Sequence, residues 1–197
     1  MESVEKIIEG IKKYPIETIT LSGFMEATYD PKLVEKITVI RKAGYEVSIY
    51  SNGSGLRPSL TDQLLELGVS SFTFNLSTLD EAQYYQTRGT KDLTKVLPNL
   101  DYLLAQKAIQ NKQTQVTIVV VGALDERHAE NVKMIRQRFA NTAVSNIFII
   151  PMVEFAGALL HKSCDRSRLP LWKLTRPQLC NFWVYLFESY GSAWHIV

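Results

Sequence analysis

The feature that most constrains this chain is a rhythm. Short β-branched or apolar runs at residues 18–21, 45–50, 71–76, 116–121 and 147–151 are separated by longer stretches whose apolar residues recur at helical spacing. Helical stretches are predicted at residues 4–14, 31–43, 60–67, 80–87, 93–106 and 126–139. Val4, Ile7, Ile8 and Ile11 share one face of the first, and Pro15 ends it by removing a backbone donor. Asp30 and Pro31 are expected to cap and start the second. A strand, a crossover of helical length and another strand must run parallel, because the crossover carries the chain back to the same edge, and such crossovers are right-handed. The run VTIVVV at 116–121 is nearly unbroken in apolar character, which suits a strand buried on both faces. The expectation is an α/β protein with five parallel strands in an open or curved sheet.

Length and charge narrow the possibilities. At 197 residues the chain can bury one substantial core. Its net charge is +2 with both signs interspersed, so it lacks the cationic surface that phosphate-backbone binding requires, and nucleic acid is not an expected partner. No apolar run reaches membrane-spanning length, and the amino-terminal stretch is amphipathic rather than signal-like. A cytoplasmic location is expected. Cys164 and Cys180 are the only cysteines, and they lack the short paired spacing of a zinc or iron–sulfur site. After Gly157 the rhythm weakens. A basic connection leads to an aromatic segment carrying Phe182, Trp183, Tyr185, Phe187, Tyr190 and Trp194, so the expected division is a core at 1–160 and a second segment at 161–197.

In parallel α/β architectures ligands sit at the carboxyl ends of the strands. The residues that follow the strands here are therefore candidates: Gly23 and Glu26 after the first, Ser51 and Asn52 after the second, Asn75 and Ser77 after the third, Pro151 and Met152 after the fifth, with Arg88 at the end of the helix following the third. They offer hydrogen-bond donors and acceptors to a polar small molecule, and Glu26 could hold an ammonium group. The bland alternative is that Ser51, Asn52 and Gly53 form only a turn. His128, His161 and His195 lack nearby ligand partners and read as surface or packing residues, and Asp125 and Glu126 read as a helix start.

Taken in order, four phrases resemble the radical S-adenosylmethionine (radical SAM) superfamily. SGFMEATYDPKL at 22–33 is similar to its Gly-Gly-Glu-Pro region, with Met25 and Ala27 replacing the usual Gly and Pro. YSNGSGL at 50–56 resembles its TNG segment, FNLSTLDEAQYYQTRGT at 74–90 its ribose-contacting strand and following helix, and IIPMVEFAGAL at 149–159 its last strands near the adenine. The resemblance implies a partial (β/α) barrel whose first strand is missing. It also implies S-adenosylmethionine as the bound small molecule, with Gly23 and Glu26 toward the methionine amino group, Asn75 toward the ribose, Arg88 toward the carboxylate, and Pro151 and Met152 near the adenine. The family's first strand carries a CxxxCxxC loop that binds a 4Fe-4S cluster. That loop does not occur here, so the resemblance assigns the cluster, and reductive cleavage of S-adenosylmethionine, to a longer parent only. LCNFWVYLFESYGSAWHIV at 179–197 resembles the opening of a SPASM-type auxiliary-cluster region. The implied substrate is unknown, with a peptide or protein as candidate. The exposed sheet edge left by a missing strand is expected to promote self-association. Two other classes fit the same residues: a non-catalytic interaction module that keeps the fold, and a different small-molecule-binding parallel α/β protein.

Overall fold

The computed structural model describes residues 2–22, 26–110, 112–123 and 125–151. The expected segment at 161–197 and the candidate residues Gly23 and Met152 lie outside these. Five strands, β1 (Thr18–Leu21), β2 (Glu46–Ser51), β3 (Ser71–Asn75), β4 (Gln115–Gly122) and β5 (Asn146–Pro151), form one sheet in the order β1-β2-β3-β4-β5. All four pairings are parallel. Around the sheet lie α1 (Glu2–Ile11), α2 (Leu33–Lys42), α3 (Pro58–Glu66), α4 (Glu81–Arg88), α5 (Leu93–Ile109) and α6 (Glu126–Phe139). Because spatial order follows chain order without reversal, right-handed crossovers put every connecting helix on the same face. That is the winding of a barrel wall rather than of a doubly wound sheet.

Register sorts the strand residues into two rows, since side chains alternate across a sheet. Val47, Ile49, Phe72, Phe74, Val116, Ile118 and Val120 form the helix-facing row and are fully buried. They pack with Ile37 and Ile40 of α2, Leu64 and Leu65 of α3, Leu100 and Leu103 of α5 and Ile135 of α6. The rings of Phe72 and Phe74 stack with centroids 6.1 Å apart. The opposite row carries Ser48, Tyr50, Ser71, Thr73, Asn75 and Thr117, and within it the Ser71 hydroxyl donates to Ser48 Oγ at 2.7 Å. Val119 sits in this second row and is also fully buried, so β4 is covered on both faces as its apolar run predicts.

Local chemistry accounts for the helix starts. Asp80 caps α4 by accepting from the Gln83 N–H at 2.6 Å, and Asp125 caps α6 by accepting from the His128 N–H at 2.7 Å. His128 is a packing residue. Its imidazole lies over Gly122, where an added Cβ would fall 1.9 Å from Nδ1, and its buried Nε2 has no hydrogen-bond partner among the described residues.

The expected role of Asp30 needs correction. A single 3-10 turn, Ala27–Tyr29, precedes α2, and Asp30 closes that turn. The residue before α2 is Lys32, which makes no side-chain cap. Asp30 instead accepts from the Lys32 N–H at 2.9 Å and pairs with Lys36 Nζ at 2.5 Å, which tightens the turn rather than capping the helix.

Candidate functional site

Parallel pairing brings the ends of all five strands to one edge of the sheet, and the described candidate residues lie along it. Glu26 stands between β1 and the 3-10 turn. Its Oε1 accepts from the Thr28 N–H at 3.1 Å, the Thr28 hydroxyl at 2.6 Å and the Ser51 hydroxyl at 2.6 Å, and its Oε2 accepts from the Asn52 N–H at 2.7 Å. Ser51 is 2% exposed, and its Oγ also accepts from the Gly53 N–H at 2.8 Å. Asn52 Oδ1 in turn accepts from the Ser54 N–H at 2.8 Å and the Ser54 hydroxyl at 2.5 Å. A carboxylate held by several donors fixes the loop after β1 against the loop after β2. Gly55 completes the fit, because an added Cβ would lie 2.5 Å from Thr28 Oγ1 and 3.1 Å from the Thr28 carbonyl carbon.

A second group forms at the end of β3. Arg88, in the last turn of α4, donates from Nη2 to the Asn75 carbonyl at 3.3 Å, and the Ser77 hydroxyl donates to Asn75 Oδ1 at 3.3 Å. Thr78, 1% exposed, anchors this loop: its Oγ1 accepts from the Asp80 N–H at 3.0 Å and lies 2.8 Å from Gln83 Oε1 and 3.1 Å from Asn131 Oδ1. Tyr50 and Tyr84 lie within the field of Arg88. Burial pushes the Tyr50 phenol above its usual range, opposed by the nearby guanidinium. Burial likewise raises the Tyr84 phenol, with Arg88 opposing and Asp92, Glu26 and Tyr29 reinforcing the rise. Tyr84 thus senses both groups, one anionic and one cationic. Pro151 ends β5 opposite Gly122, at the same edge but away from both groups.

Reading the sequence missed Thr28, Ser54, Tyr50 and Tyr84. Tyr50 had a signal, since it shares the polar alternation Ser48, Tyr50 of a strand whose other row is apolar. Thr28 and Ser54 bond to Glu26 and Asn52 two positions away, but their place in the site depends on the loop after β1 meeting the loop after β2, which no local pattern shows.

The arrangement suits an amino-acid zwitterion. Glu26 Oε2 accepts a single hydrogen bond and retains acceptor capacity for an ammonium. Arg88 uses one of its five donors on Asn75, leaving others for a carboxylate. The residues present therefore fit S-adenosylmethionine. They do not fit an iron–sulfur cluster. Among the described residues no group of three or more His, Cys, Asp or Glu side chains converges on one point. The two cysteines of the sequence lie outside those residues, and two thiolates cannot replace the three that the resemblance calls for.

The chain is thus a parallel sheet wound in one direction, like a barrel wall, with Glu26 and Arg88 on the polar rim at its carboxyl edge. The sequence profile of the Radical SAM superfamily matches residues 1–153, and the chain belongs to that superfamily. It is 31% identical over 85 residues to the tungsten-containing aldehyde ferredoxin oxidoreductase cofactor-modifying protein of Pyrococcus furiosus, covering 43% of this chain and 24% of that protein. In three dimensions it is similar to Streptococcus suis SuiB bound to S-adenosylmethionine, with a TM-score of 0.68 and 13% identity over 96% of this chain and 41% of SuiB. HydG, a maturase of the [FeFe]-hydrogenase, matches with a TM-score of 0.58 and 14% identity over 84% of this chain and 37% of HydG. At these identities the structural likeness establishes the fold. The chain spans about a quarter of the Pyrococcus protein and 41% of SuiB. Among the described residues no helix is long and apolar enough to cross a membrane.

Proposed function

We propose that this chain holds S-adenosylmethionine at the carboxyl edge of its sheet, as the barrel core of a cytoplasmic radical SAM enzyme that modifies or matures a peptide or protein. The observation that supports this reading is that one rim carries both the Glu26 carboxylate, tethered by Ser51 and Asn52, and the Arg88 guanidinium, which lies on the Asn75 carbonyl. Glu26 Oε2 receives the methionyl ammonium, while Ser51 and Asn52 keep the carboxylate from turning away. Arg88 receives the carboxylate, Asn75 and Ser77 face the ribose, and backbone groups of Gly23, Pro151 and Met152 border the amino group and the adenine. Bound there, S-adenosylmethionine supplies the adenosyl group used in radical chemistry. The substrate class is supported by a solved complex of SuiB with the precursor peptide SuiA and by the cofactor-modifying role in the name of the Pyrococcus relative.

The cluster thiolates are proposed to come from polypeptide outside this sequence, as part of a further strand. Two features support that. Helix α1 has the position of a crossover helix, and among the described residues β1 pairs only with β2. An apolar groove of about 650 Å³ lined by Ile7, Ile11, Tyr14 and Ile16 also lies beside the start of β1, with Ile7 and Tyr14 exposed. A strand added to that edge would satisfy its open hydrogen-bonding groups and fill the groove. Residues 161–197 are proposed to begin a separate, SPASM-like segment. Expressed alone, the chain should self-associate through the β1 edge. Sedimentation that shows a monomer at all concentrations would argue against this.

The test of the site is calorimetric titration with S-adenosylmethionine of the chain and of Glu26→Ala and Arg88→Ala. Binding in the micromolar range, weakened tenfold or more in each variant while melting remains cooperative, is the expected outcome. That factor corresponds to about 1.4 kcal/mol. Absence of binding to the unmodified chain, or binding indifferent to both substitutions, would overturn the reading and favour an interaction module that keeps the fold.

A further inference from the structure

We infer that a second cleft, on the outer side of the rim, binds a carboxylate-bearing ligand through Arg57. This cleft, about 700 Å³, lies between the 3-10 turn, the start of α3 and the first turns of α5. It is separated from the Glu26 group by a wall made of Thr28, Ser54 and Gly55, which face the cleft and also hold the loops behind it. Its size falls within the range of small-ligand sites, about 300–1,000 Å³.

Charge decides the ligand class. Asp30 is the one carboxylate among the lining residues, and it is already committed to Lys36 Nζ and the Lys32 N–H. The Lys36 hydrogen bond is the main reason its carboxyl is held below the usual range, so it stays ionised and neutralised in place. Lys95 has its own partner, Asp92, at 2.8 Å. Arg57 differs: its exposed guanidinium makes no hydrogen bond or ion pair with any described residue, whereas Arg41 and Arg138 are each paired with a carboxylate. The cleft therefore holds one uncompensated positive charge, carried by a planar fork whose geometry matches a carboxylate. Ser59 and Gln63 line the same wall and add hydrogen-bonding groups. Leu60 lines the cleft from the same helix, α3, and the stretch from the 3-10 turn into α2 contributes Tyr29, with 59% of its surface exposed, Pro31 and Val34. The preferred ligand carries a carboxylate beside an aromatic or branched apolar group. An acidic peptide segment and a free organic acid share that chemistry.

The experiment is a titration, at low and at high ionic strength, with two probes: the blocked tripeptide acetyl-Glu-Phe-Glu-amide and free phenylacetate. It uses the unmodified chain, Arg57→Gln and Arg57→Lys, read by calorimetry and by amide chemical shifts. The expected result is saturable binding of at least one probe that weakens with salt. It should fall about tenfold or more in Arg57→Gln and be partly kept in Arg57→Lys, with shifts centred on Ser59, Gln63 and Asn99. Tripeptide binding alone assigns a peptide source, and phenylacetate binding of equal strength assigns a free acid. No saturable binding by either probe, or binding unchanged in Arg57→Gln, would overturn the inference. Because the Arg57 side chain has no partner to lose among the described residues, its variants should melt as the unmodified chain does, so failure cannot be traced to folding. The inference is independent of S-adenosylmethionine binding, which Arg57→Gln should leave intact.

Discussion

The two faces of the single sheet have opposite chemistry on the same strands. The helix-facing row is all apolar from Val47 to Val120 and fully buried, whereas the opposite row reads Ser48, Tyr50, Ser71, Thr73, Asn75 and Thr117, broken on β4 by the buried Val119. The first row joins helices to strands and forms the centre of the core. The second offers hydroxyls and amides to whatever occupies the interior of the curve. Along these strands, then, core-forming and mainly polar side chains are separated by a side-chain period of two, and in such a wall the polar row can change without loss of the core.

Substitutions on the two rows test that division. The largest effect is expected for Phe74→Ala, which removes a fully buried ring stacked on Phe72 and should cost about 3–5 kcal/mol in chemical denaturation. A loss under about 1 kcal/mol would mean that the helix-facing row is not the main source of stability. Thr117→Val, on the opposite row of β4, keeps the shape and deletes a hydroxyl with no hydrogen bond to a described residue, so its stability should change by less than about 1 kcal/mol. A severe loss there would show that the polar row is structural after all.

The smallest effect concerns pH. The Asp30 carboxyl is held low chiefly by its hydrogen bond to Lys36, then by the Lys32 N–H. A group whose folded pKa is depressed stabilises above its unfolded value, about 3.9 for Asp, and that contribution is lost as pH falls through the folded value. Asp30→Asn should therefore lower the melting temperature slightly at neutral pH, where the charged pair is intact, and leave it unchanged below the folded pKa, so that the acid limb flattens by the same small amount, given the partial exposure of the pair. An identical acid limb in the variant would rule out Asp30 as a contributor.

Strand positions were legible because each is a short β-branched or apolar run bounded by Gly, Pro, Ser or Asn, and β1 falls at the predicted 18–21. The start of α6 was legible too, since Asp125 and Glu126 form a local cap whose partners lie within one turn. Asp30 was misread because an Asp-Pro pair suits a helix start and a tight turn equally well, and the 3-10 turn before it decides the matter. In the candidate site, Glu26, Ser51 and Asn52 were each visible as residues that follow strands. Their mutual bonds, across 25 and 26 positions of chain, were not.

By itself the sequence determined the parallel α/β class, the places of the strands and the polar rim, because those depend on local propensity, side-chain period and the fact that a helical crossover returns the chain to the same edge. The tertiary structure alone decided that Glu26 is held by Ser51 and Asn52, that Arg88 turns back onto Asn75, and that Arg57 lines a cleft without an ion pair to any described residue. Such pairings are set by register and by how far one crossover rotates against the next, quantities that no stretch of residues encodes locally.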